Sequence, residues 1–206
     1  MTARTSAPPL ARLVTEVLAP WVLVLSLPLL VAWRATRSLP ETLLWGAVVG
    51  LTGSVIPMAV IVRGARRGRW EGHHVTNREG RLVPLLVCVA SLGLGIAALT
   101  FGGAPRAMVA LALSMFLSLL ICLAVTFGLP VNGGRGWKVS VHSAVAAGAV
   151  AVLTITYGPW VLLAAPLVAL VAWSRVALGD HTKAQVVVGA VLGAVIGGLA
   201  FSILSS

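Results

Sequence analysis

Leu82-Val-Pro-Leu-Leu-Val-Cys-Val-Ala-Ser-Leu-Gly-Leu-Gly-Ile-Ala-Ala-Leu-Thr-Phe101 is followed, across Gly102-Gly103-Ala104-Pro105-Arg106, by a second apolar run from about residue 107 to 127. Each run matches the ~20 residues that a helix needs to cross the hydrocarbon core of a bilayer. The link between them is short and rich in glycine and proline, so it reads as a tight turn joining two spanning helices. Similar runs lie near 17–33, 42–62, 142–157, 159–173 and 184–204. The expected fold class is therefore all-α, a polytopic membrane bundle of about seven (six to seven) transmembrane helices. The fifth and sixth runs are the shortest, and only Tyr157-Gly158-Pro159-Trp160 divides them, with proline starting the next helix and the aromatic pair suited to the interface. Pro20, Pro28, Pro57, Pro84 and Pro166 fall in or near helices and are expected to kink them.

Composition agrees with this reading. The chain has 206 residues, is 59% hydrophobic and 10% charged, and has a mean hydropathy of +1.02. Those values lie far from soluble domains. Arg4 and Arg12 precede the first apolar run, but Arg34 and Arg37 follow it and no small-x-small cleavage site is present, so it reads as a retained helix and not as a signal peptide. Cys88 and Cys122 lie inside apolar runs and read as small core or lipid-facing residues. No soluble domain or internal repeat interrupts the chain. It is expected to form a single domain over 1–206, with two helices in 1–62 preceding a motif-bearing core in 63–206.

Counting crossings puts the polar stretches 63–81, 128–141 and 174–183 on the same side as the N-terminus. Twelve lysines and arginines fall on that side, against Arg34, Arg37 and Arg106 on the other. The positive-inside rule then makes that face, and the N-terminus, cytoplasmic in a multi-pass protein of the cell membrane. Leaving out Arg78, Arg81, Lys138 and Arg175, which have a second reason to be basic, still leaves eight against three. The net charge of +10 suits anionic lipid headgroups or phosphorylated substrates, and the run Arg63 to Arg69 reads most simply as a headgroup and topology anchor.

The three same-side stretches carry the chemistry-bearing residues. Ser174-Arg175 stands six residues ahead of His181, with Gln185 four further on; Ser140-Val-His142 follows Lys138; and His74 precedes Arg81-Leu82, with Arg78 between them. An arginine fork can hold a phosphate while an imidazole attacks it. Ser140 and His142 open a helical run, where unsatisfied N–H groups and the positive helix end favour an anion. Ser140 can add a hydroxyl donor, and Lys138 either a charge or an interfacial anchor. Each group also has an ordinary explanation: a histidine at a helix start is usually an interface residue, and terminal arginines snorkel to headgroups.

In order and spacing these groups resemble the type-2 phosphatidic acid phosphatase superfamily, which includes the vanadium haloperoxidases. Its motifs are lysine, six residues, Arg-Pro; Pro-Ser-Gly-His; and Ser-Arg, five residues, His, three residues, Asp. The third is matched by Ser174, Arg175 and His181, with Gln185 in the aspartate position; the second keeps Ser140 and His142 without the proline and glycine; the first has His74 for the lysine and Leu82 for the proline. The resemblance covers the chain from about residue 74 to the last helix.

It implies a metal-independent membrane lipid phosphate phosphohydrolase that works through a phosphohistidine and needs no cofactor. His181 would be the nucleophile and His142 the general acid. Arg175 and Arg81, helped by Ser140, Arg78, His74 and Lys138, would hold the phosphate, as transition-state charge on phosphoryl oxygens requires. The Gln185 carbonyl can accept the Nδ1–H of His181 and leave Nε2 to attack. The implied substrate is a lipid phosphomonoester or diphosphate, whether isoprenoid phosphate, polyprenyl-sugar phosphate or phosphatidate-like. Two rival readings stand beside this one. The departures from the motifs suit a catalytically impaired relative that binds anionic lipid or acts as a membrane partner. Two histidines in apolar surroundings could instead ligate a haem or metal, although the adjacent arginines would repel a cation. Soluble-enzyme motifs are absent, nucleic acid is not an expected partner, and the glycines from Gly189 to Gly198 permit close packing within the chain or in a homodimer.

Overall fold

The computed structural model describes residues 8–69, 79–128 and 137–206, and in them the chain is all-helical with no strand. Six helical segments are long and apolar enough to cross a bilayer: Pro9–Thr36, Leu39–Arg66, Leu82–Phe101, Arg106–Gly128, Pro159–Ala177 and Lys183–Ser205. A seventh, Val141–Tyr157, is shorter and lies in the middle of the bundle. The chain is thus a multi-pass membrane protein of the class read from its apolar runs. Its helices are α1 (Pro9–Val17), α2 (Pro20–Thr36), α3 (Leu39–Gly50), α4 (Ile56–Arg66), α5 (Leu82–Phe101), α6 (Arg106–Gly128), α7 (Val141–Tyr157), α8 (Ala165–Ala177), α9 (Lys183–Leu192) and α10 (Gly198–Ser205).

Two of the spans are not continuous α-helix. A π-helical turn, Leu51–Val55, joins α3 to α4, and another, Gly193–Gly197, joins α9 to α10. Such turns insert one residue into the helical ladder, and they recur near functional sites. Pro20 occupies the first position of α2, where the missing N–H costs nothing, and Pro28 lies in the interior of that helix. Pro57 and Pro166 lie inside continuous helical spans, just after the π-helical turn Leu51–Val55 and the 3-10 turn Pro159–Ala164, where the α-helical ladder changes. At the opposite end from the polar stretches, Gly158 takes φ +108 to turn the chain from α7 toward α8, and the Tyr157 hydroxyl donates to the Leu30 carbonyl at 2.8 Å.

Helix α7 is the hub. It packs on α2, α8, α9 and α10 and buries Ala144, Ala146, Ala147 and Ala149, small residues that let backbones approach. The approach to α9 is closest. A methyl at Gly189 would strike the Ser140 carbonyl, and one at Gly193 the Ala144 carbonyl, so each position needs hydrogen in place of Cβ. Gly189 and Gly193, four apart on one face, lie against Ser140 and Ala144, four apart on the other. This registry sets the start of α7 beside the second turn of α9, and the Ser140 N–H donates to the Gln185 carbonyl across the seam at 3.3 Å.

The sequence reading gave no structure to the residues before 17, but Pro9–Val17 forms α1. It buries Ala11, Val14 and Thr15 against α8, with Val14 among Val171 and Ala146 and the Thr15 hydroxyl 3.0 Å from that of Ser174. The spacing of those three residues is the i, i+3, i+4 pattern of one helical face. Large apolar side chains elsewhere, such as Leu94, Leu163, Leu199 and Ile203, are exposed on the bundle perimeter, where lipid tails cover them.

Candidate functional site

The six-residue step from Arg175 to His181 has a local cause. Helix α8 ends at Leu178, whose N–H returns to the Ser174 carbonyl, and Gly179 follows at φ +74, the left-handed geometry that glycine adopts without strain. The chain then doubles back so that the N–H groups of Asp180 and His181 both donate to the Arg175 carbonyl, at 3.1 and 3.2 Å. The spacing therefore consists of one last helical turn, one glycine reversal and one return to the same carbonyl. It fixes the His181 backbone to the backbone of the arginine.

Helix α9 starts two residues after His181. Thr182 is its N-cap and Gln185 its third residue, and together they form a capping box: the Thr182 hydroxyl accepts from the Gln185 N–H at 3.3 Å, and Gln185 Oε1 accepts from the Thr182 N–H at 3.2 Å. His181 lies outside the helix, and the capping box brings Gln185 back to it. Gln185 Oε1 is also 3.1 Å from His181 Nδ1. A backbone N–H only donates, so the glutamine atom facing Thr182 is oxygen, and the same oxygen makes Nδ1 the protonated ring nitrogen. The lone pair is thereby placed on Nε2, where Arg81 Nη2 donates to it at 3.3 Å.

Arg81 ties the three distant stretches together. It closes the short turn Glu79–Arg81 ahead of α5, is 8% exposed, and donates through Nη1 to the Val139 carbonyl at 3.2 Å while Nη2 reaches His181. Arg175 is buried more deeply, at 1% exposure, and its Nη2 lies 2.8 Å from Asp180 Oδ2 without the alignment of a hydrogen bond. Its Nε and Nη1 meet no hydrogen-bond partner among the described residues. A guanidinium buried to this degree with donors unused is a strong anion acceptor. Glu16 of α1 is within electrostatic reach of the same group.

Three cations, Arg81, Arg175 and Lys138, therefore crowd one imidazole. Burial lowers the Arg81 guanidinium to about 10, with the charge of Arg175 adding to the effect, and it remains ionised at neutral pH. Lys138 is also lowered, by burial first and then by Arg81. His181 falls to about 3: burial is the largest cause, followed by the charges of Arg81 and Lys138, with the Gln185 hydrogen bond opposing them. The imidazole is thus held neutral, with its lone pair facing the arginine.

Ser140 is fully buried and caps α7, its Oγ accepting from the N–H and the hydroxyl of Ser143 at 3.4 and 3.1 Å. Its oxygen thus holds the helix start that carries His142, the second residue of α7. His142 and Arg81 both line one end of a cavity of 260 Å³ that continues inward between apolar side chains. Of the residues singled out in the sequence, Arg81, Lys138, Ser140, His142, Arg175, His181 and Gln185 gather at this end of the bundle. His74 and Arg78 lie outside the described residues. Sequence reasoning missed the pairing of Asp180 with Arg175, the capping by Thr182 and the approach of Thr15 and Glu16. The Thr-x-x-Gln pattern before an apolar run was a legible signal for the second of these.

Set against protein-family models, curated proteins and solved structures, the chain matches none.

Proposed function

We propose that the chain is a membrane phosphohydrolase of lipid phosphates, related in chemistry to the type-2 phosphatidic acid phosphatases, with its site face toward the cytoplasm. The observation that carries this reading is the tautomer of His181, whose Nδ1–H is held by Gln185 while the Nε2 lone pair meets the Arg81 guanidinium. A neutral imidazole with a directed lone pair, between the buried Arg81 and Arg175 and the half-buried Lys138, suits attack on a dianionic phosphate.

In the proposed reaction the phosphate takes the donors of Arg175 and Arg81, the latter turning from the imidazole to a phosphoryl oxygen. His181 Nε2 forms a bond to phosphorus as the P–O bond to the lipid breaks, and the lipid oxygen takes a proton from imidazolium His142. The phosphoryl group remains on Nε2, and the cationic ring keeps its Nδ1 proton, which donates to Gln185 Oε1. Neutral His142 then takes a proton from water, whose oxygen attacks phosphorus, and the P–N bond breaks to return neutral His181 and inorganic phosphate. The proposed step needs no metal, because the arginines supply the charge.

The ion pair of Arg175 with Asp180 favours one other reading, a relative that binds anionic lipid without turnover. Phosphate release from a panel of lipid phosphates in detergent separates the two. The phosphohydrolase survives chelator, is inhibited by vanadate and loses activity in His181→Ala and His142→Ala. Full activity in either variant rules out the assigned roles, and binding without release leaves the second reading.

A further inference from the structure

The 260 Å³ cavity is strongly asymmetric: Arg81 and His142 stand at one end, and the rest is lined by apolar side chains and three serines. Its depth follows from the helices that wall it. On α5 the lining runs from Arg81 to Leu92, eleven residues or ~16 Å, and on α7 from His142 to Val152, ~15 Å. That is about half of the ~30 Å hydrocarbon core. The inner end is closed, since Leu27, Leu92, Leu111 and Val152 line it and also belong to the packed cluster that fills the other half of the bundle.

Three serines in the wall make no demand on a ligand. Ser54, Ser114 and Ser118 each donate to a backbone carbonyl, those of Trp21, Leu111 and Ser114, at 2.8 Å. The shaft therefore offers a guest dispersion contacts alone, while its mouth offers charge. Its volume is below the ~300–1,000 Å³ of pockets for drug-sized ligands, and that volume is drawn out along its length. Such a shape fits one hydrocarbon chain better than two side by side.

Much of the wall comes from the two N-terminal spans, which the motif resemblance leaves out. Trp21 and Val24 of α2, Met58 of α4 and Gly53 of the π-helical turn all line it. A Cβ at Gly53 would lie 3.1 Å from Val24, 3.4 Å from Met115 and 3.7 Å from Leu92, so the glycine keeps the deep part of the shaft open.

We infer that this shaft seats the tail of a single-chain lipid phosphate, with the phosphate at Arg81 and His142 and about a dozen carbons reaching the Leu92, Leu111 and Val152 floor, an extended chain advancing ~1.2 Å per bond. This rests on the phosphohydrolase reading and narrows its substrate class: two chains diverging close to the headgroup do not enter together.

The test is photolabelling in nanodiscs with dodecyl phosphate carrying a diazirine at its terminal carbon, using the full chain and its His181→Asn variant, followed by peptide mapping. Label is expected on peptides containing Leu92, Leu111 or Val152. Unlabelled dodecyl phosphate should displace it, with a two-chain phosphatidate about tenfold weaker, the scale of an overpacking penalty. Gly53→Leu and, on the facing wall, Met115→Trp should each remove the floor label while leaving the protein monodisperse and helical. Label confined to perimeter residues such as Leu94 or Ile203, equal competition by phosphatidate, or undiminished floor label in both wall variants overturns the inference. The phosphohydrolase reading fails separately: floor labelling without phosphate release from the parent sinks that reading and keeps the tail site, whereas release without floor labelling does the reverse.

Discussion

Arg81 Nη2 lies 3.3 Å from His181 Nε2, across a hundred residues of sequence, and Nη1 of the same side chain holds the Val139 carbonyl at 3.2 Å. One planar fork thus spans both other polar stretches. An ammonium group has no rigid fork, so Arg81→Lys keeps the charge and loses the simultaneous contacts. Phosphate release by this variant is expected to fall by about a hundredfold, the scale for losing one preorganised donor at a developing charge. Activity within twofold of the parent would remove Arg81 from the site.

Gln185 does two jobs with one oxygen, capping α9 and holding Nδ1 of His181. Glutamate keeps the capping box and replaces a neutral acceptor with a carboxylate. Charge-assisted hydrogen bonds are roughly twice as strong as neutral ones, a gain of about 1 kcal/mol for the cationic phosphohistidine ring. Gln185→Glu should therefore speed phosphoryl transfer by about fivefold in single-turnover measurements and raise the His181 pKa from about 3. An unchanged rate together with an unchanged titration would show that Gln185 acts only as a cap.

The depressed His181 pKa has a consequence for stability that does not depend on catalysis. The folded value is about 3 and the ordinary one 6.5, so between these pH values the unfolded chain binds a proton that the folded chain does not. Stability then rises with pH through this window and is lost as pH falls below 6.5. From pH 6.5 to pH 5 the loss attributable to this group is about 2 kcal/mol. Thermal unfolding in detergent should shift downward over that range, and His181→Gln should flatten the shift. A parent whose midpoint is the same at both pH values would contradict the burial of a neutral imidazole.

The apolar runs made the bundle legible because membrane spans are written in composition, and the seven runs correspond, among the described residues, to six helices long enough to cross and the shorter Val141–Tyr157. The same property hid α1, whose Ala11, Val14 and Thr15 face is too short and too mixed to register as a run. Convergence of the three polar stretches followed from parity of crossings alone. The contacts inside the site did not, because they depend on the Gly179 reversal and on a capping box that draws Gln185 back over His181. Asp180 lay beside His181 in sequence, yet it turns to Arg175. Neighbours along an irregular segment diverge in ways that no periodicity records.

The contact between α7 and α9 allows the most direct test of how the fold positions the chemistry. Ser140 and His142 stand on one helix, His181 and Gln185 at the start of the other, and Gly189 and Gly193 set the distance between them. At Gly193 an added side chain would run into backbone, which cannot rotate aside as a side chain tip can. Gly193→Val is therefore expected to cost at least the ~1–3 kcal/mol of an overpacked core and to separate the two helix starts. A Cβ at Gly128, at the end of α6, would meet nothing within 4 Å among the described residues, and Gly128→Ala serves as the matched control. Thermal unfolding in detergent should place Gly193→Val well below both the parent and the control. In whatever fraction remains folded, phosphate release should fall further than folded content does, because the proposed reaction needs both imidazoles at one phosphate. Equal stability and activity in Gly193→Val and Gly128→Ala would mean that the α7–α9 seam does not set the site.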